Sequence, residues 1–178
     1  MSPLGPFNGK SFGTTISPWI VTLDALQPFE CPGPKRDIPV AAYLQDPKEL
    51  SHYAIKLGAD LVTDVENSAS TRICDSRVDW MYWTFRDMVV HQTINGCPLR
   101  SGDLLATGTV SGSKEGTNGC LLEITKGGKK PLSLKNGSER VYLQDGDAVR
   151  LVGWAGEIGT ESCVGFGEAY SVLAASWA

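Results

Sequence analysis

Asp145-Gly-Asp-Ala-Val-Arg-Leu-Val-Gly-Trp154 decides the fold class. Asp145-Gly146-Asp147 reads as a tight turn, because glycine accepts the backbone angles such turns need and a following Asp carboxylate can accept local N–H bonds. Residues 148–154 then form a short β-rich run. The same device recurs at Ser101-Gly102-Asp103, ahead of residues 104–110. Further short runs at 119–125, 141–143 and 164–172 are also separated by Gly-containing turns, so the chain after Gly96 reads as a succession of strands. The Gly-Asp pairs are structural signals.

Upstream, Tyr53-Ala-Ile-Lys-Leu-Gly-Ala-Asp-Leu-Val-Thr63 places Tyr53, Ile55 and Leu57 at period two and reads as a strand, with Gly58 as a bulge position. Residues 18–26 begin as an apolar, strand-like run and end in a helical turn. Pro28, Pro32, Pro34 and Pro39 make residues 27–39 an irregular excursion. One helix is expected over 76–95. Trp80, Trp83, Thr84, Asp87, Met88 and His91 recur at three- and four-residue spacing, and Asn95-Gly96 supplies the stop. Its aromatic first half predicts a buried helix. The Lys126–Lys130 stretch, broken by Gly127 and Gly128, reads as a hairpin turn.

The chain has 178 residues, enough for one domain with a sizeable core, taken here as 1–178. A net charge of −4 without a basic run gives no reason to expect nucleic acid. Five cysteines, odd in number and without a Cys-x-x-Cys pair, point to reduced and mostly buried thiols in the cytoplasm. The sequence shows neither a leader pattern nor an apolar run of the ~18 residues that cross a bilayer, so no membrane role is expected.

Near the start lies Gly5-Pro-Phe-Asn-Gly-Lys-Ser-Phe-Gly-Thr-Thr-Ile-Ser-Pro-Trp19. Here Lys10 sits between Gly9 and Gly13, beside the hydroxyls of Ser11, Thr14, Thr15 and Ser17. Such a loop can hold an anion or a hard cation beside a reacting group, since hydroxyls and carbonyls are oxygen ligands and an ammonium stabilises an oxyanion. It can equally be a surface turn rich in Gly and Ser. A phosphate loop does not fit, because the position that would need the first glycine is Leu4.

Together these segments resemble the C-terminal part of the fumarylacetoacetase family. The resemblance rests on the lysine loop from Pro3 to Trp19, on Met81-Tyr-Trp-Thr84 and Ile94-Asn-Gly-Cys97, and on Leu99-Arg-Ser-Gly-Asp-Leu-Leu-Ala-Thr-Gly-Thr-Val-Ser-Gly112. Gly119-Cys-Leu-Leu-Glu-Ile124, Leu143-Gln-Asp-Gly-Asp147 and Gly165-Phe-Gly167 follow in the same order. The resemblance implies a mainly β (α+β) fold, a mixed β-sandwich roll with the 76–95 helix packed on it. It implies metal-dependent hydrolysis of the carbon–carbon bond of a β-diketo acid, 4-fumarylacetoacetate, to fumarate and acetoacetate. It also implies Mg2+ or Ca2+ as cofactor and a homodimer.

By the same resemblance, Lys10 faces the reacting oxygens and stands at the cation site, with Gly13 and Thr14 beside it. An ammonium has donors only, so any metal bond from Lys10 must use its carbonyl or be indirect. Thr109 matches a substrate contact, and Glu123 the carboxylate that orients a histidine base. From the residues alone, Thr109 reads instead as an ordinary β-branched strand residue, and Glu123 as the solvent-facing member of a half-buried strand.

The family's acidic ligands, its histidine and its N-terminal domain all precede the lysine loop. The sequence has no Glu-x-Glu, and its histidines are His52 and His91. His52 is expected at the surface, and His91 at the helix C-terminus or in the core. The expectation is therefore a fragment of a fumarylacetoacetase. The alternatives are a catalytically silent association module and a relative acting on acylpyruvates or oxaloacetate.

Overall fold

The computed structural model describes residues 13–64 and 69–175. In chain order a helical turn α1 (Leu23–Leu26) is followed by β1 (Glu30–Cys31), β2 (His52–Tyr53), β3 (Ile55–Asp64) and β4 (Ala69–Arg77). Next come α2 (Phe85–Thr93), α3 (Leu121–Ile124), β5 (Leu132–Ser133), β6 (Glu139–Arg140), β7 (Ala148–Gly156) and β8 (Cys163–Val172). The centre is a four-stranded antiparallel sheet in the order β4-β3-β7-β8, flanked by the two-stranded pairs β1-β2 and β5-β6. The class is mainly β (α+β), as expected.

Strand alternation gives this sheet two unlike faces. Leu57, Ala59 and Leu61 of β3 lie opposite Gly153, Leu151 and Val149 of β7 on the apolar face. Lys56, Gly58 and Asp60 lie opposite Trp154, Val152 and Arg150 on the other. There Arg72 donates from Nε to Asp60 Oδ1 at 2.6 Å, and Arg150 donates to Glu168 at 2.8 Å. On the apolar side Leu26, Ile55, Val78 and Ala155 form a buried cluster, with Phe29, Phe85, Val164 and Phe166 packed around it. Each fully buried side chain of this kind contributes about 1.5–3 kcal/mol.

The strands at 53–63, 148–154 and 164–172 appear as β2–β3, β7 and β8. The bulge falls one residue beyond Gly58, at Ala59/Asp60. Both Gly-Asp turns behave as the sequence indicates. Asp103 accepts the Arg100 N–H at 2.8 Å, and Asp147 accepts the Gln144 N–H at 2.8 Å.

Several expectations are corrected. The helix over 76–95 is only α2: Ser76 and Arg77 end β4, and Val78–Trp80 make a 3-10 turn. Thr84 sets the true start through a capping box, taking the Asp87 N–H on its hydroxyl while Asp87 takes the Thr84 N–H. The aromatics before it are not buried: Trp80, Tyr82 and Trp83 are all more than two-fifths exposed, and the Arg36 guanidinium lies over Tyr82 and Trp83.

Residues 104–110 and 141–143 form no strand, and 119–125 contains α3. Leu121, Ile124 and Thr125 have the three-and-four spacing of a helix face, and Thr125 is fully buried. Lys126–Lys130 is the turn that ends α3, with the Lys130 N–H bonded to the Thr125 carbonyl at 2.9 Å; the hairpin is β5-β6 instead. Residues 18–20 likewise form no strand, and Trp19 and Ile20 are exposed.

His52 is corrected as well. It is fully buried, edge-on to Phe85 at 6.1 Å between ring centroids. The pairing of β1 with β2 draws it inward. His91 does lie in the last turn of α2, as expected, but exposed and bonded through Nδ1 to the Tyr43 hydroxyl at 3.0 Å. The cysteines are all free; only Cys74 is buried and the rest are half-buried.

Candidate active site

Glu123 stands on α3, the element that follows a tightly closed loop. The Gly112 N–H bonds to the Thr117 carbonyl at 2.8 Å, and the Ser76 hydroxyl donates to the Val110 carbonyl at 2.8 Å. These bonds tie residues 110–119 to β4. The Thr109 methyl packs against Gly119, which has no room for a Cβ there, so the exposed Thr109 sits beside the entry to α3.

The Glu123 carboxylate is fixed on one side. Ser111 Oγ donates to Glu123 Oε2 at 2.7 Å, and the Gly119 N–H donates to Ser111 Oγ at 2.9 Å. The Cys120 thiol reaches the same oxygen at 3.3 Å. The Ser111 hydroxyl holds the Glu123 carboxyl below the ordinary carboxylate range, against a smaller opposing push from burial; the Cys120 thiol and the N–H groups of Cys120 and Gly119 assist. An exposed carboxylate kept ionised in this way can hold and orient a proton-bearing partner such as an imidazole N–H. It is unsuited to donate a proton itself.

Lys10 lies outside the described residues. Gly13 and Thr14 are exposed at the start of the described chain. A few residues on, Ser17 Oγ donates to the Phe166 carbonyl at 3.2 Å, and the Trp19 ring lies on Gly167. Gly167 has φ +70°, and a Cβ there would come within 2.4 Å of that ring, so both backbone angle and space call for glycine.

The two regions share one face of the sheet. Ser17 lines a cleft of about 310 Å3 with Leu57, Phe166 and Leu151. Gly119, Cys120 and Leu121 line a second cleft, of about 240 Å3, that also includes Leu151. A side chain points to one face only, so Leu151 places the end of the lysine loop and the base of α3 on the same, apolar side.

Neither histidine bonds to Glu123: His52 is sealed in the core, and His91 is engaged with Tyr43. Among the described residues no three His, Cys, Asp or Glu side chains converge to hold a metal ion. A hard cation needs about six oxygens, so the described residues do not fit Mg2+ or Ca2+ by themselves. No helix among them is long and apolar enough to cross a membrane.

Sequence reasoning missed Ser111 and Cys120. Cys120 at three residues before Glu123 was within reach of helical spacing. Ser111 had no local signal, since its bond spans twelve residues.

Comparison with known proteins gives the likeness its extent. The family model for the fumarylacetoacetate (FAA) hydrolase C-terminal region matches residues 1–164. The fumarylacetoacetase of Arabidopsis thaliana is 52% identical over 151 residues, covering 85% of this chain and 35% of that protein. That of Homo sapiens is 45% identical over 166 residues, covering 93% and 39%. That of Aspergillus fumigatus is 43% identical over 173 residues, covering 96% and 39%. The chain thus spans well under half the length of these curated relatives.

Proposed function

The chain belongs to the fumarylacetoacetate hydrolase family, and on that premise we propose that it supplies the Lys10, Thr109 and Glu123 side of a fumarylacetoacetase active site. The reaction is hydrolysis of the carbon–carbon bond of 4-fumarylacetoacetate to fumarate and acetoacetate. What carries this reading is the extent of the likeness, 45% identity with the Homo sapiens enzyme over 93% of this chain.

Within the reaction each side chain has a distinct task. Glu123, anionic and pinned by Ser111, orients the base that takes a proton from the attacking water. The Lys10 ammonium faces the oxygen on which charge develops as the bond breaks and the acetoacetate fragment leaves as an enolate. The Thr109 hydroxyl donates to a substrate oxygen and fixes its register. The base itself is neither His52 nor His91.

A divalent cation, Mg2+ or Ca2+, belongs to the proposal through resemblance, with Gly13, Thr14 and the Lys10 carbonyl beside it. Its carboxylates would have to come from beyond the described residues. A homodimer and a cytoplasmic setting are part of the same reading.

The test is a chimera in which residues 1–164 replace the matching segment of the Homo sapiens enzyme. A folded chimera that releases fumarate and acetoacetate is the expected outcome. A folded chimera without hydrolysis would refute the assignment.

A further inference from the structure

The two oxygens of Glu123 are unequal. Oε2 accepts from the Ser111 hydroxyl at 2.7 Å and from the Cys120 thiol at 3.3 Å. Among the described residues no side-chain hydroxyl, thiol, guanidinium or ammonium bonds to Oε1. Glu123 is itself exposed. Ser111 is equally constrained: its oxygen accepts the Gly119 N–H at 2.9 Å, so its own proton is directed to the carboxylate. A hydroxyl has one donor proton, and here that proton has one use.

We propose that Ser111 is the positioning residue for Glu123, pinning Oε2 through the Gly119–Ser111–Glu123 chain so that Oε1 is the oxygen presented to the reacting partner. This deepens the reading of Glu123 given above and rests on it for the identity of the partner, though not for the pinning. The geometry has a rigid origin. Ser111 and Gly119 close the two ends of the loop whose Gly112–Thr117 bond measures 2.8 Å, and the loop is tied to β4 by Asp75 N–H to the Gly116 carbonyl at 2.8 Å. The carboxylate is therefore referenced to the central sheet and not only to the short helix that bears it. Cys120 is a weaker contributor, since a thiol is a poor donor.

The chain itself suffices for the experiment. The Glu123 carboxyl is followed by 13C NMR through a pH titration in the wild type, Ser111→Ala and Ser111→Thr, with Cys120→Ala as a comparison. Ser111→Ala should raise the titration midpoint of Glu123, Ser111→Thr should restore it, and Cys120→Ala should move it less. The threonine variant keeps the hydroxyl, so its recovery separates the bond from any general loosening of the loop. An unchanged midpoint in a folded Ser111→Ala protein would overturn the proposal, as would a threonine variant no better than alanine. A failure of the hydrolysis chimera would leave this titration standing, so the two readings fail separately. In a catalytically active chimera, Ser111→Ala should lower kcat by about tenfold with little change in KM, the loss of one hydrogen bond to a charged group. An active chimera in which Ser111→Ala leaves kcat at the parent value would also overturn it.

Discussion

Replacing His52 with leucine should stabilise this protein, and more so in mild acid. The imidazole is fully buried, and among the described residues neither ring nitrogen has a hydrogen-bond partner. The Met81 backbone acts on the ring in the sense that favours its protonated form, but too loosely to close a bond. Leaving a buried polar atom unpaired costs about 1–3 kcal/mol. Leucine removes that cost with a side chain of similar volume, against an overpacking strain of about 1 kcal/mol. The net expectation at pH 7.5 is a gain of up to about 2 kcal/mol.

Burial holds the His52 pKa below its ordinary 6.5, outweighing the Met81 backbone, Asp79 and Asp87, which all pull it upward. The unfolded chain therefore binds a proton that the folded one refuses, and stability falls as pH drops below 6.5. At pH 5.5 the wild type should lose up to about 1.3 kcal/mol more than the leucine variant from this source alone. Urea unfolding followed by tryptophan fluorescence at pH 7.5 and 5.5 measures both effects through the midpoint at constant slope. The exposed His91→Leu serves as control. A leucine variant less stable at pH 7.5, or one with the same pH dependence as wild type, would show that burying His52 carries no such cost.

Two further substitutions test how the fold is held. Thr84→Ala removes the hydroxyl of the capping box and should cost about 1 kcal/mol with a loss of helical circular dichroism, whereas Thr84→Ser should not; equal behaviour of the two would contradict the assigned helix start. A Cβ at Gly58 would stand 2.0 Å from Arg72 Nη1 and 3.0 Å from Val152. Gly58→Val should therefore push Arg72 off the buried Asp60 and cost about 1.5–3 kcal/mol by urea unfolding. An unchanged midpoint would mean the guanidinium has another resting place.

The parts of the fold that the sequence made legible are those fixed by local chemistry. Ile55, Leu57 and Leu61 alternate because one face of β3 is apolar, and that alternation is visible in any window. Asp103 and Asp147 serve their own turns within three residues, so the Gly-Asp signal transferred directly. The failures have a common cause, partners distant along the chain. Trp80 and Trp83 have helical spacing, yet the Thr84–Asp87 box begins the helix after them, and the Arg36 guanidinium lies over Trp83 at the surface. His52 has no sequence mark of burial; it goes inward because Cys31 pairs with it across β1-β2. For the site, Glu123 was found through resemblance, but its helix and its Ser111 tether depend on contacts that no periodicity encodes. The run Leu121-Leu-Glu-Ile124 supports a strand or a helix equally well until Thr125 is known to be buried.

In the proposed reaction Lys10 and Glu123 act on one reacting centre. The measurement that meets this most directly is turnover of fumarylacetoacetate by the chimera carrying Lys10→Met, Glu123→Gln or both. Groups that work as a unit lose their effect together, so each single change should lower kcat by about a hundredfold or more, and the double variant should be no worse than the poorer single. Losses that multiply in the double variant, or a near-normal rate in either single one, would contradict the claim.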